Sequence, residues 1–212
     1  MKKIRFFSLL VVMLAAMMCV VAQPAGFKPL SAAERKTVID VMNAKMQSVQ
    51  CDFRQEKKSA LFEEPSVSEG LMSFSKPSSL RWEYTKPTAS VIVMNDGKVK
   101  VTDAAGKSQD KGGRMYTQLA ALIAGIVSGK ELENGKNFKA DFYGNSNFYW
   151  IKLTPSSHRL KAFFNHLEIT VDKQKMVAVK MFMNEKEGDS TTITFSNHKV
   201  NATIDDKLFV TK

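Results

Sequence analysis

Hydrophobic residues follow two different spacings along this chain, and the spacing changes near residue 48. Before that point the apolar positions recur at intervals of three and four, at Val38, Val41, Met42 and Met46. Ser31 followed by Glu34 is a capping box, in which each residue satisfies a free backbone N–H of the other. This pattern predicts an amphipathic helix over about residues 32–47.

From residue 49 the apolar residues alternate with polar ones, as in a strand with one buried face. The row that begins at Val49 continues through Cys51, Phe53 and Gln55, so Cys51 is expected to be a buried thiol and not a nucleophile. Three further runs, "GLMSFSK", "LRWEYT" and "SVIVM", repeat the alternation, and Asn95-Asp96-Gly97 then leads into "KVKV" as a tight hairpin turn. Residues 49–102 are therefore predicted to form consecutive antiparallel strands.

The stretch "YTQLAALIAGIVSG" interrupts the strands and predicts a short helix over about residues 116–128, with Gly129 at its end. Because this helix has little polar surface, another part of the protein must cover it. Alternating runs return from "NFKADFY" to "KLFV", which brings the total to about ten strands. The predicted fold is mainly β (α+β), with a single large curved antiparallel sheet, closed or nearly closed, and helices against its apolar face.

The first 22 residues have the features of a secretory signal peptide. Lys2, Lys3 and Arg5 precede an apolar run from Phe6 to Ala22, and we expect cleavage before Gln23. An uncleaved membrane anchor is the alternative. The expected organisation is a signal peptide over residues 1–22 and one exported domain over residues 23–212.

The residues that would carry catalysis are not arranged for it. None of the three histidines has a metal-ligand spacing to another His, Cys or acidic residue, and no nucleophile elbow or phosphate-binding glycine loop is present. The net charge of +10 comes from scattered lysines, which is typical of a solvated basic surface. We therefore expect no enzyme activity, cofactor, metal or nucleic acid.

The apolar face of the "GLMSFSK" and "LRWEYT" strands is unusually large and aromatic. It comprises Met72, Phe74, Leu80, Trp82 and Tyr84. One interpretation is an ordinary core; the other is a pocket for acyl chains between sheet and helices, for which the eight methionines outside the signal peptide would be suited. Arg81 interrupts the aromatic run but shares the opposite face with Glu83, where a cross-strand charge pair is expected.

Several segments together resemble the periplasmic outer-membrane lipoprotein carrier family. They run in order from about residue 31 to residue 210: "CDFRQ", "GLMSFSKPSSLRWEYTKP", "VMNDGKVKV", "LIA" at 122–124, "YWIKLTP" and "FSNHKVNATIDDKLFV". The resemblance implies an incomplete β-barrel with a lid of helices at about 32–47 and 116–128. Under that lid, an apolar cavity would hold the acyl chains of lipoproteins.

The resemblance also implies roles for particular residues. The acyl pocket would be lined by Phe53, Met72, Phe74, Leu80, Trp82 and Tyr84. The lid helix would contribute Leu119, Leu122, Ile123, Ala124 and Ile126. In the family an arginine directly before a proline holds the lid shut by bonding to lid backbone, including the "LIA" helix; here that position is Lys76, before Pro77. A lysine lacks the planar fork of arginine, so we expect a looser latch.

The implied function is that of a monomeric periplasmic carrier. It would receive lipoproteins from an inner-membrane ATP-driven releasing complex and pass them to an outer-membrane acceptor, without covalent chemistry. The alternative is a periplasmic regulatory domain that senses lipids or lipoproteins. A secreted hydrolase is disfavoured by the missing catalytic motifs.

Overall fold

A computed structural model describes residues 24–108, 121–127, 129, 132, 135 and 137–211 of the chain. The strands are β1 (Lys28–Pro29), β2 (Ser48–Lys58), β3 (Ser66–Ser75), β4 (Ser79–Lys86), β5 (Ser90–Asn95), β6 (Lys98–Thr102), β7 (Phe138–Gly144), β8 (Phe148–Pro155), β9 (Phe164–Asp172), β10 (Val177–Glu185) and β11 (Ser190–Val200). The helices are α1 (Ala32–Lys45), α2 (121–127) and α3 (His158–Lys161), and two 3₁₀ turns span Lys186–Gly188 and Asp206–Phe209.

All eleven strands belong to one antiparallel sheet, in the order β1-β7-β8-β9-β10-β11-β2-β3-β4-β5-β6. Strands β2 to β6 pair in chain order, which confirms the meander predicted over residues 49–102. Within the described residues the sheet is open, because β1 and β6 form its two edges and do not pair with each other. The mainly β fold class with a single open sheet is confirmed.

Helix α1 begins where the sequence predicts and ends two residues earlier. The Ser31 side chain accepts from the backbone N–H of Glu34, and the Glu34 carboxylate accepts from the backbone N–H of Ser31 at 2.7 Å. Both bonds of the capping box are therefore made. The Ser31 hydroxyl also donates to the Glu34 carboxylate at 2.7 Å, and this bond, followed by that from the Ser31 backbone N–H, lowers the pKa of the Glu34 carboxyl.

The strand order explains why helices lie across the sheet. Strand β6 is at one edge, whereas β7 lies next to β1 at the opposite edge. The connection from β6 to β7 must therefore pass from one side of the sheet to the other, and α2 lies in that connection. Similarly, α1 links the edge strand β1 to β2 in the middle. Residues of both helices pack into the same core as the inward residues of β2 to β4, so both lie over one apolar face.

One continuous hydrophobic core joins that face to the helices. Helix α1 buries Val38 and Met42, and α2 buries Leu122, Ile123, Ala124, Ile126 and Val127. None of the helices within the described ranges is long and apolar enough to cross a membrane. The predicted signal peptide, Leu119, and residues 116–120 and 128 of the predicted lid helix lie outside the described residues.

Candidate functional site

The six residues expected to line an acyl pocket lie together on the inner face of β2, β3 and β4. Met72 is opposite Trp82, and Phe74 is opposite Leu80. Phe53 lies opposite Gly70, which in turn is opposite Tyr84. Tyr84 is half-buried and the other five pocket residues are buried. Strand pairing therefore assembles residues from three strands into one wall.

Aromatic rings organise this wall. Phe53 and Trp82 stack with centroids 4.2 Å apart, and Tyr84 meets Phe53 edge-on at 5.3 Å. Phe195 of β11 meets Trp82 edge-on at 6.2 Å. Both arrangements are favourable for aromatic quadrupoles. Trp82 is thus held by rings from β2 and β11, both of which lie on the β3 side of its own strand β4.

Helix α2 lies against the wall and fills the space in front of it. Ile123, together with Leu80, Trp82 and Tyr84, borders a cavity of only about 10 Å³. A second cavity, of about 20 Å³, lies between Met42 and Ile126. Each has room for roughly one water molecule at most. Within the described residues the helices therefore cover the apolar face of the sheet, and neither of these two cavities has room for an acyl chain.

Lys76 bonds to the end of α1. Its ammonium group donates to the backbone carbonyl of Asn43, and its backbone N–H donates to the carbonyl of Gln47 at 2.9 Å. Among the described residues it makes no hydrogen bond to α2. The lysine thus reaches the backbone of α1, one of the two predicted lid helices, whereas the family resemblance implied contact with the "LIA" helix as well.

A close approach between Asn43 and Gly129 connects the two helices. Gly129 follows α2 with φ +80°, and a Cβ built at this position would lie 2.4 Å from the Asn43 side-chain oxygen. Only glycine allows both the backbone conformation and this proximity. Lys76, Asn43 and Gly129 therefore join the sheet, α1 and the end of α2 in one place.

Asn201, which sequence reasoning did not identify, holds the junction between α1 and β2. Its side-chain oxygen accepts from the backbone N–H of Gln47 at 2.8 Å, and its amide donates to the carbonyl of Lys45 at 2.8 Å. Its φ of 56° is in the left-handed region, which asparagine tolerates better than most residues. The available signal was an asparagine directly after the last strand.

Cys51 lies in the inward row of β2 and is buried. Burial, with a smaller contribution from the neighbouring Asp52 charge, raises the pKa of its thiol to about 12. A thiol that stays protonated is a poor nucleophile. The prediction of a buried structural cysteine is confirmed.

Arg81 lies on the outer face, as predicted, but its ion pair differs from the expected one. The guanidinium contacts the Glu83 carboxylate at 2.9 Å, two residues along the same strand. Its cross-strand neighbours are Ser73 and Val93, which carry no charge. The expected cross-strand pair was therefore wrong, because no acidic residue occupies either opposing position.

Replacing Arg81 with alanine is expected to have a small effect. The pair is partly exposed, and such pairs contribute about 0.2–1 kcal/mol. We expect a decrease of less than about 1 kcal/mol in the free energy of unfolding, measured in urea. Binding of a fluorescent fatty acid should be unchanged, and its loss in a folded Arg81→Ala protein would contradict the assignment of Arg81 to the outer face.

Comparison with known proteins places the chain among lipoprotein carriers. A profile of the family described as outer membrane lipoprotein carrier protein LolA matches residues 44–212. An outer-membrane lipoprotein carrier protein of Methylococcus capsulatus is 29% identical over 163 residues, which cover 76% of each chain. Its counterpart in Chromobacterium violaceum is 29% identical over 142 residues, covering 64% of this chain and 63% of the relative.

A solved structure of MucB has a similar fold at much lower identity. It is 13% identical with a TM-score of 0.50, and the match covers 86% of this chain but 64% of MucB. At this identity the likeness concerns the fold alone. The profile match, in contrast, covers most of the sequence and includes β2 to β11. This chain therefore belongs to the outer membrane lipoprotein carrier protein (LolA) family.

Proposed function

We propose that this protein is an exported periplasmic carrier that binds the acyl chains of lipoproteins between its sheet and its helices. It would take them from an inner-membrane ATP-driven releasing complex and deliver them to an outer-membrane acceptor. Membership of the carrier family supports the lipoprotein cargo. The observation that carries the proposal is the predominantly apolar, aromatic wall beneath α1 and α2.

The packing of the interior suits a ligand that binds reversibly. The cavity of about 20 Å³ is bordered by four methionines, Met42, Met46, Met72 and Met181. Their unbranched side chains can rearrange around different acyl chains. Because the cavities are nearly filled, acyl chains must replace contacts made by α1 and α2. Binding and lid opening are therefore one process in this proposal.

The free energy needed to open the lid and the free energy gained by burying an acyl chain are of comparable size. Removing the hydrogen bond of a charged donor costs about 1.5–3 kcal/mol. Each methylene buried contributes about 0.8 kcal/mol, so about three to five methylenes offset an opening cost of a few kcal/mol. Delivery then requires only that the acceptor bind the cargo more tightly than the carrier does.

Capture of cargo in cells tests the proposal. The protein, expressed with its own leader in a bacterium with two membranes and purified from the periplasm, should carry intact lipoproteins identifiable by mass spectrometry. Met72→Gln, which places an amide on the inner wall, should reduce capture. Leu71→Gln, on the half-exposed outer position next to it, should not. Circular dichroism of both variants verifies that they fold.

The outcomes separate the candidate functions. Recovery of free fatty acids alone, or of no lipid, would overturn the carrier proposal. Lipoproteins that are captured but not transferred to outer-membrane vesicles would instead favour the regulatory role considered as the alternative. Transfer to such vesicles supports the carrier.

A further inference from the structure

The indole N–H of Trp82 is buried in the inner wall without a hydrogen-bond partner among the described residues. The side chain is only 3% exposed, so solvent does not replace the missing partner. Its ring borders the cavity of about 10 Å³ under α2, together with Gln55, Tyr84 and Ile123. An unsatisfied donor therefore lies in an otherwise apolar wall.

Packing alone does not explain a tryptophan at this position. The stacking on Phe53 and the edge contact with Phe195 require an aromatic ring but no N–H group. A buried donor without a hydrogen bond costs free energy, and folded proteins seldom contain one without a functional reason. The indole nitrogen is a donor only, so its missing partner must be an acceptor.

Gln55 adds a second donor at the same cavity. It continues the inward row of β2 after Val49, Cys51 and Phe53, where an apolar residue would be expected. The Tyr84 hydroxyl donates to Gln55 Oε1 at 3.2 Å. Because that oxygen is engaged, the other end of the amide is an NH₂ group, which can only donate. Two neutral donors thus occur within a border of apolar side chains.

We propose that Trp82 and Gln55 form a polar subsite for the acyl ester carbonyl of a bound lipid. The hydrocarbon chain would occupy the apolar interior when Ile123 moves away with α2, and the carbonyl oxygen would accept from the Trp82 N–H. This inference rests on the proposed acyl-binding function and names the part of the ligand that is recognised.

The neutrality of the cavity selects an ester over a carboxylate. Its border consists of Gln55, Leu80, Trp82, Tyr84, Ile92, Ile123 and Ile193, none of which is charged. A fatty-acid carboxylate would lose its hydration there without gaining a counter-ion, which is unfavourable. An ester carbonyl is a good acceptor that carries no charge to desolvate.

Three probes with the same pyrene-labelled chain test this subsite: a methyl ester, the free fatty acid and an alkane. Titration of the purified mature protein should give the tightest binding for the ester. Trp82→Phe keeps the ring but removes the N–H, so we expect ester binding about tenfold weaker and alkane binding unchanged. Gln55→Met should weaken ester binding in the same direction.

Each other outcome overturns the subsite. Unchanged ester binding in Trp82→Phe, or an equal loss for ester and alkane, would show that the N–H does not recognise the carbonyl although the carrier binds chains. Tighter binding of the free acid than of the ester would exclude the neutral carbonyl as the preferred ligand. Failure of all three probes to bind the wild-type protein would overturn the acyl-binding function itself.

A spectroscopic measurement does not depend on the folding of any variant. In ¹⁵N-labelled protein, the Trp82 indole proton should shift downfield when the methyl ester binds and not when the alkane binds. The Trp150 indole already donates to Glu168 at 3.3 Å and provides an internal reference. Equal shifts of the Trp82 proton with both probes would contradict the proposal.

Discussion

Replacing Gly70 with alanine is expected to lower the free energy of unfolding by about 3 kcal/mol, the upper end of the usual cost of overpacking. A Cβ at this position would lie 1.9 Å from the backbone oxygen of Glu83 and 2.7 Å from the Phe53 ring. The oxygen belongs to the neighbouring strand and cannot turn aside as a side chain can. Strands β3 and β4 would have to separate, and the stack of Phe53 on Trp82 would be disturbed.

Urea unfolding followed by circular dichroism measures this effect. Gly144→Ala is the matched control, since Gly144 also lies in a strand but its added Cβ would meet the methyl group of Leu30 at 3.1 Å and the ammonium of Lys173 at 3.3 Å. These side-chain ends can move, so a loss below about 1 kcal/mol is expected. Equal losses for the two variants would contradict the clash with the β4 backbone.

Replacing Lys76 with methionine is expected to open the lid more often, by about tenfold or more. The substitution keeps most of the side-chain length but removes the charged donor to the Asn43 carbonyl. Hydrogen bonds from charged groups contribute about 1.5–3 kcal/mol, which corresponds to about 10- to 150-fold in an equilibrium constant. Alkylation of Cys51, buried beneath the lid, reports the opening because only the exposed thiol reacts.

Lys86→Met is the control for this experiment. Lys86 also precedes a proline at the end of a strand, but it bonds to the exposed carboxylate of Glu69 at 2.9 Å and, among the described residues, to neither α1 nor α2. Its alkylation rate should stay within about twofold of the wild type, as expected for a surface pair. Global stability in urea, measured in parallel, distinguishes lid opening from complete unfolding. Equal rates of Cys51 alkylation in both variants would show that Lys76 does not hold the lid closed.

Local signals account for most of what could be predicted about the fold. The capping box at Ser31 placed the start of α1, and the two-residue period from Val49 assigned the inner face of β2 correctly. Parity likewise placed Leu80 and Trp82 inside and Arg81 outside. These signals work because caps and alternation depend on residues that are close in the chain.

Contacts between distant residues could not be predicted in the same way. The interaction of Asn201 with Gln47 joins positions 154 apart, and no local pattern marks either partner. Parity placed Glu83 on the same face as Arg81, but choosing it over a cross-strand partner required knowledge of the residues opposite. The degree to which α2 fills the interior depended on packing volumes, which periodicity does not contain.

The sequence by itself determined the class of the protein: a β-rich chain with two amphipathic or apolar helices, an inward aromatic row and the ordered motifs of a lipoprotein carrier. Only the tertiary structure decided that Lys76 bonds to α1, that Gly70 makes room for Phe53, and that the Trp82 N–H has no partner within the part of the chain that the structure describes. Alternation specifies which face a side chain occupies. The path of the chain across the sheet decides which residues pack against that face.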